Sequence, residues 1–90
     1  NEIYIADMCR YQYAWLSFLH NETDSAKAML IEIQHETIYK ELAHIFLVEI
    51  MDYIDKDVSG AIDSYLEFLE LYPNSIYYDD IRLRLRELTS

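Results

Sequence analysis

Residues 61–75 read AIDSYLEFLELYPNS and contain both a helical pattern and its stop signal. Apolar residues recur every three or four positions, as at Ala61, Tyr65 and Phe68, which is the spacing of one helix face. Pro73 follows, and proline cannot donate a backbone hydrogen bond and clashes with the preceding turn. The stretch therefore predicts a helix that ends just before this proline.

The same periodicity runs through the rest of the chain. It predicts further helices over residues 3–19, 25–35, 37–54 and 76–88. One glycine and one proline among 90 residues are too few for the turns of a sandwich or barrel. The sequence predicts an all-α fold of about five antiparallel helices. Alternation of apolar and basic residues over 81–88 also fits a strand, but no second candidate strand exists to pair with it.

Composition and charge restrict the functional class. The chain is 52% hydrophobic and 27% charged, as expected for one globular domain of 90 residues. A net charge of −10 disfavours binding to nucleic acid or to anionic lipid. The apolar runs are too short to insert into a membrane. Because the chain begins at Asn1 without a methionine, we expect it to be part of a longer protein.

An internal repeat is visible when the chain is shifted against itself by 35 positions. The matched pairs are Tyr4 with Tyr39, Tyr11 with Phe46, Phe18 with Tyr53, Ala26 with Ala61, Leu30 with Tyr65 and Ile33 with Phe68. The small residue shared by Ala26 and Ala61 is informative, because helices approach most closely where side chains are small. The shift predicts two copies of one helix-turn-helix unit.

The 61–75 stretch resembles the second helix and terminal proline of a tetratricopeptide repeat, with Ala61, Tyr65 and Pro73 at the family's small, aromatic and proline positions. Together with Arg82 and Arg86, it resembles the last repeat of bacterial cell-envelope proteins of that family. The resemblance implies two TPR-like hairpins and a capping helix, forming part of a right-handed α-solenoid. The corresponding boundaries are residues 3–38, 39–73 and 75–88.

The match has departures and leaves the compartment open. Glu49 stands where the family favours a small residue, and Ile38 stands where the first unit would end in proline. A bacterial envelope or periplasmic location is implied by the resemblance alone, and a cytoplasmic one remains compatible with the sequence.

The resemblance also implies a function, that of a non-enzymatic protein–protein interaction module. In tetratricopeptide proteins the first helices of successive hairpins line a groove that holds a peptide or a partner's helix. The candidate groove residues here are Tyr13, Ser17, His44, Glu49 and Asp52. An acidic groove would prefer a basic or amphipathic partner. A merely solvated face explains the same residues equally well.

Two alternatives follow from other residues. The helix predicted over residues 37–54 is apolar nearly all round, and Ile3, Ile5 and Trp15 form an open N-terminal face. Both could serve homodimerisation or docking of an upstream part of the protein. Glu-x-x-His spacings occur twice, as in helical metal sites. The paired residues are Glu32 with His35 and Glu41 with His44.

Both Glu-x-x-His motifs flank one predicted turn, so they do not meet from separate helices. We therefore expect no metal, no cofactor and no catalytic residue. Cys9 is expected to be a small buried hydrophobe.

Overall fold

The computed structural model describes residues 1–90 and contains only helices and the turns that join them. The helices are α1 (Glu2–Leu19), α2 (Thr23–Ile31), α3 (Ile38–Glu49), α4 (Val58–Leu71) and α5 (Tyr78–Thr89). A π-helical segment, Ile50–Ile54, follows α3 directly and is called the π segment below. The all-α prediction is confirmed. The strand alternative for residues 81–88 is wrong, because these residues lie in α5.

Side-chain caps fix two of the helix starts. The Asn1 side chain accepts a hydrogen bond from the Tyr4 amide at 2.9 Å, and the Asp57 side chain accepts one from the Gly60 amide at 3.0 Å. Such caps satisfy backbone donors that have no partner inside the helix. Asp57 therefore marks the start of α4, and α4 ends two residues before Pro73, as the proline predicts.

Two predicted boundaries are wrong. The second helix ends at Ile31 and not at His35, because the linker that follows uses its polar side chains for contacts with α1 instead of continuing the helix. The last helix begins at Tyr78 and not at Ile76. Here the Ser75 hydroxyl accepts a hydrogen bond from the Tyr77 amide at 3.0 Å, which holds the preceding residues in a turn.

The chain divides into two compact units, residues 1–47 (unit 1) and residues 48–90 (unit 2). In unit 1, α1 packs against α2. The buried apolar residues of unit 1 are Ala14, Ala26, Leu30, Ile33, Ala43 and Phe46. Aromatic side chains connect α1 to α3, with Tyr11, Trp15 and Phe18 all placed around Phe46.

In unit 2, α4 is the central element and packs against both the π segment and α5. The buried apolar residues of unit 2 are Val48, Ile50, Ala61, Tyr65, Phe68 and Ile81. Ala61 and Phe68 are completely inaccessible, so the face of α4 predicted from the sequence is the one that is buried.

Several local features recur at the 35-residue offset. Asn21 and Lys56 occupy corresponding turn positions, and both have left-handed backbones, with φ of 63° and 57°. Ala26 and Ala61 are both fully buried. Their amides donate to the carbonyls of Glu22 and Asp57, at 3.0 and 2.8 Å. The starts of α2 and α4 therefore share these backbone features, although only α4 has a side-chain cap.

Direct contacts within unit 1 also follow the repeat offset. The rings of Tyr4 and Tyr39 lie 5.2 Å apart between centroids, and those of Tyr11 and Phe46 lie 6.0 Å apart. Both pairs are separated by 35 residues in sequence. Tyr11 follows Tyr4 along α1, and its partner Phe46 likewise follows Tyr39 along α3. The two helices therefore run parallel.

No helix of the structure has the length and apolar character needed to span a membrane.

Candidate functional site

Three of the predicted groove residues lie in unit 1. Tyr13 is exposed on α1, and His44 is half-buried on α3. Ser17 is buried, close to the end of α1. Its hydroxyl is therefore not presented to a partner, although it shares a helix face with Tyr13 by spacing alone.

The other two predicted residues, Glu49 and Asp52, lie in unit 2. Glu49 is exposed at the end of α3, whereas Asp52 is buried in the π segment. Asp52 is an internal residue whose carboxylate is already bonded, so it does not line an open groove. The accessible residues among the five are Tyr13, His44 and Glu49.

The Asp52 carboxylate accepts three hydrogen bonds within unit 2. The Tyr65 hydroxyl donates at 2.7 Å, and the Arg84 guanidinium donates to both oxygens, at 2.8 and 2.9 Å. The guanidinium carbon of Arg84 also lies 4.8 Å from the centroid of the Tyr53 ring, in cation–π geometry. These contacts join the π segment, α4 and α5.

The opposite charges of Asp52 and Arg84 stabilise each other, whereas the like charges of Asp52 and Glu49 repel. Hydrogen bonds from Arg84 hold the pKa of the Asp52 carboxyl below its ordinary value, and they outweigh the opposing effect of burial. Burial first, and the bond to Asp52 second, raise the pKa of the Tyr65 phenol. Desolvation, together with the nearby Asp52 charge, raises the pKa of Glu49. Asp52 is therefore ionised, and the charge of Arg84 compensates its own. Few of its lone pairs remain free to accept hydrogen bonds from a ligand.

A second buried carboxylate, Asp7, organises unit 1. Arg10 donates to Oδ1 at 3.0 Å, and the Thr37 hydroxyl donates to Oδ2 at 2.9 Å. Nδ1 of His35 lies 3.6 Å from Oδ1. Thr37 and His35 both belong to the linker between α2 and α3, so Asp7 fixes that linker against α1.

The buried, paired state of Asp7 and Asp52 was not predicted from the sequence, although the spacing of each residue from core positions indicates it. Asp7 lies seven positions before Ala14, so it occupies the buried face of α1. Asp52 lies four positions after Val48, which is also buried. An acidic residue in phase with core positions indicates a buried, paired carboxylate.

The Glu-x-x-His motifs do not form one site. Glu32 follows the end of α2, His35 lies in the linker next to Asp7, and His44 lies within α3. No group of three histidine, cysteine or acidic side chains is close enough to hold a metal ion.

The solvent-facing side of α4, called the α4 acidic ridge, is the most acidic helix face of unit 2. It consists of Asp63, Leu66, Glu67 and Glu70, all of them exposed. Their spacing places them opposite the buried residues Ala61 and Phe68. The helix contains no lysine or arginine. An apolar side chain, Leu66, lies beside the three carboxylates and is 51% exposed.

A different surface lies on α1 in unit 1. Its solvent-facing stripe, called the α1 outer face, consists of Ile5, Cys9, Gln12, Leu16 and Leu19, all exposed. The prediction that Cys9 is buried is wrong, because Cys9 lies on the side of α1 opposite Ala14. Trp15 and Ile3, two of the residues expected at an association face, are also exposed.

Comparison with known proteins gives no relative for this chain: it matches no family model, no curated protein and no solved structure. The tetratricopeptide resemblance therefore stays a prediction.

Proposed function

We propose that the chain is a non-enzymatic protein–protein interaction module built from TPR-like helical hairpins, and that it binds a basic, amphipathic peptide or helix. The repeat character is supported by corresponding turns and helix starts at the 35-residue offset. It is also supported by the parallel course of α1 and α3, since successive repeats place equivalent helices side by side.

We infer the chemical class of the partner from the α4 acidic ridge. Three carboxylates within eight residues create a negative potential along one helix face, and the helix offers no positive charge to cancel it. Leu66 adds an exposed apolar side chain beside these carboxylates. A segment with basic residues around an apolar stripe complements this surface in both charge and hydrophobicity.

The predicted groove is not the surface proposed, because Ser17 and Asp52 are buried. The α4 acidic ridge suits the same basic or amphipathic partner that was expected for the groove, but it lies on a different helix. Its residues are accessible without any change in the fold.

The test uses a synthetic helix-forming peptide with lysines on one face and leucines on the other, measured by fluorescence anisotropy. We expect the full chain to bind it more weakly as salt rises. The triple variant Asp63→Lys, Glu67→Lys, Glu70→Lys should lose binding. These side chains are exposed, so the variant is expected to remain folded.

A matched control separates the ridge from overall charge. The variant Glu22→Lys, Asp24→Lys, Glu32→Lys changes the net charge equally but alters exposed residues of unit 1. It should keep binding measurable at low salt. Equal loss in both variants, or binding indifferent to salt, would contradict the proposed function.

A further inference from the structure

We propose that the α1 outer face binds the same face of a second copy of this chain. The stripe is apolar apart from Gln12, and its residues stand at alternating steps of four and three. That spacing averages 3.5 residues and is typical of a helix packed lengthwise against another helix. Leu16 is 57% exposed and Leu19 is 67% exposed, so the stripe has no covering element within the chain.

The α1 outer face differs from the rest of the molecule in its charge. Although the chain carries a net charge of −10, the only charged residues of α1 are Glu2, Asp7 and Arg10. Asp7 and Arg10 are paired with each other, and Asp7 is buried, so they contribute little to the outer face. Between Ile5 and Leu19 the positions beside the stripe are also uncharged and include Met8, Tyr13 and Trp15, which makes the apolar surface broad. The exposed Glu2 lies one turn before Ile5, at the end of this surface.

This lack of charge selects the kind of partner. A basic segment finds no carboxylate to pair with along the stripe, so the partner of the α4 acidic ridge does not fit here. An uncharged helix face with the same spacing does fit. A second copy supplies that face, which has no exposed carboxylate between Ile5 and Leu19, so repulsion within α1 is confined to the end of the contact at Glu2.

Gln12 makes the face self-complementary. It lies seven residues from both Ile5 and Leu19, at the midpoint of the stripe. When two stripes overlap fully, Gln12 of one copy therefore meets Gln12 of the other, whether the helices run parallel or antiparallel. A primary amide both donates and accepts hydrogen bonds, so two copies satisfy each other. One such polar pair in an apolar seam fixes the register of two helices.

The contact is small, and small interfaces are typical of weak complexes. A helix of 18 residues is about 27 Å long, and a contact along one such helix is at or below the roughly 800 Å² per partner of a standard interface. We therefore expect a dimer with a dissociation constant on the order of micromolar.

The test is sedimentation equilibrium of the full chain across the micromolar range, with a reducing agent so that the exposed Cys9 forms no disulfide. Wild type should form a dimer. Leu16→Glu should raise the dimer dissociation constant at least about tenfold, because it places a charge in the apolar contact. The matched control, Leu83→Glu, changes a leucine of similar exposure on α5, which lies in neither proposed binding surface, and should leave the dimer unchanged.

A second pair of variants tests self-recognition and does not depend on Leu16. Gln12→Glu and Gln12→Lys should each be monomeric because like charges meet at the seam, and mixing the two should restore a dimer. Wild type that stays monomeric throughout, dimerisation of Leu16→Glu at wild-type strength, or no rescue on mixing overturns the proposal. Failure of these tests leaves peptide binding by the α4 acidic ridge unaffected.

Discussion

At the scale of single residues, the two buried aspartates differ in where their counter-charge comes from. Asp7 pairs with Arg10, three residues away on the same helix, whereas Asp52 pairs with Arg84, 32 residues away on another helix. A local pair forms whenever the helix forms. The distant pair forms only when α5 has packed, so it links the ionisation of Asp52 to the folding of unit 2.

Asp52→Asn should lower the free energy of unfolding at neutral pH by about 2 kcal/mol, a typical loss when hydrogen bonds to a charged group are removed. Because the folded pKa of Asp52 is below its ordinary value of about 3.9, its contribution is present above that pH. The contribution is lost as pH falls through the folded pKa.

The difference between wild type and Asp52→Asn should therefore shrink in acid, as measured by thermal unfolding at several pH values. Asp79→Asn is the control, since its pair with Arg82 is exposed at 3.8 Å, and it should change stability little. A constant difference down to strongly acidic pH would contradict the linkage.

At the scale of helices and turns, the start of α4 depends on Gly60 for a reason unrelated to backbone freedom. The Gly60 amide donates to the Asp57 side chain, and a methyl group at Gly60 would meet that same carboxyl group. It would also approach the Met51 methyl to 2.8 Å. Met51 is flexible and can move, but Asp57 cannot move without losing its cap.

Gly60→Ala should therefore stabilise the chain only when Asp57 is already absent. Asp57→Ala alone should cost about 1 kcal/mol through loss of the cap. In the Asp57→Ala background, Gly60→Ala should recover up to about 1 kcal/mol, because alanine is the better helix former. In wild type it should give no gain. Urea unfolding of the four proteins measures this coupling, and additive effects would show that the clash is relieved without loss of the cap.

At the scale of the whole molecule, α5 covers unit 2. It contributes Ile81 to the core, and Arg84 neutralises the buried Asp52. Without α5, α4 would expose apolar surface and Asp52 would lose its counter-charge. Exposed apolar surface of this kind promotes association.

Deletion of residues 74–90 should abolish cooperative thermal unfolding and cause aggregation, measured by calorimetry and light scattering. Ile81→Asp should reproduce the effect in the full-length chain, because Ile81 is only 6% exposed. Leu83→Asp makes the same chemical change at a site that is 50% exposed and should be tolerated. Cooperative, monomeric unfolding of the truncated chain would show that unit 2 does not need α5.

The helices could be predicted because their signals are local. Apolar spacing, Asp57 and Pro73 act within a few residues, so the number of helices and most of their ends agree with the structure. The end of α2 could not be predicted, since it depends on Asp7 bonding Thr37 from 30 residues away. The π segment could not be predicted either, because a widened turn leaves the hydrophobic pattern nearly unchanged, and that pattern predicts a continuation of α3.

Sequence alone determined the all-α class, the offset of 35 residues and the acidic character of the chain, because each depends on composition or on short-range spacing. Tertiary structure alone decided which polar residues are accessible. Asp52 and Ser17 are polar in sequence yet buried, whereas Leu16 and Cys9 are apolar in sequence yet exposed. The physical reason is that burial depends on what packs against a helix face. A sequence pattern shows which residues share a face, but it does not show which face another helix covers.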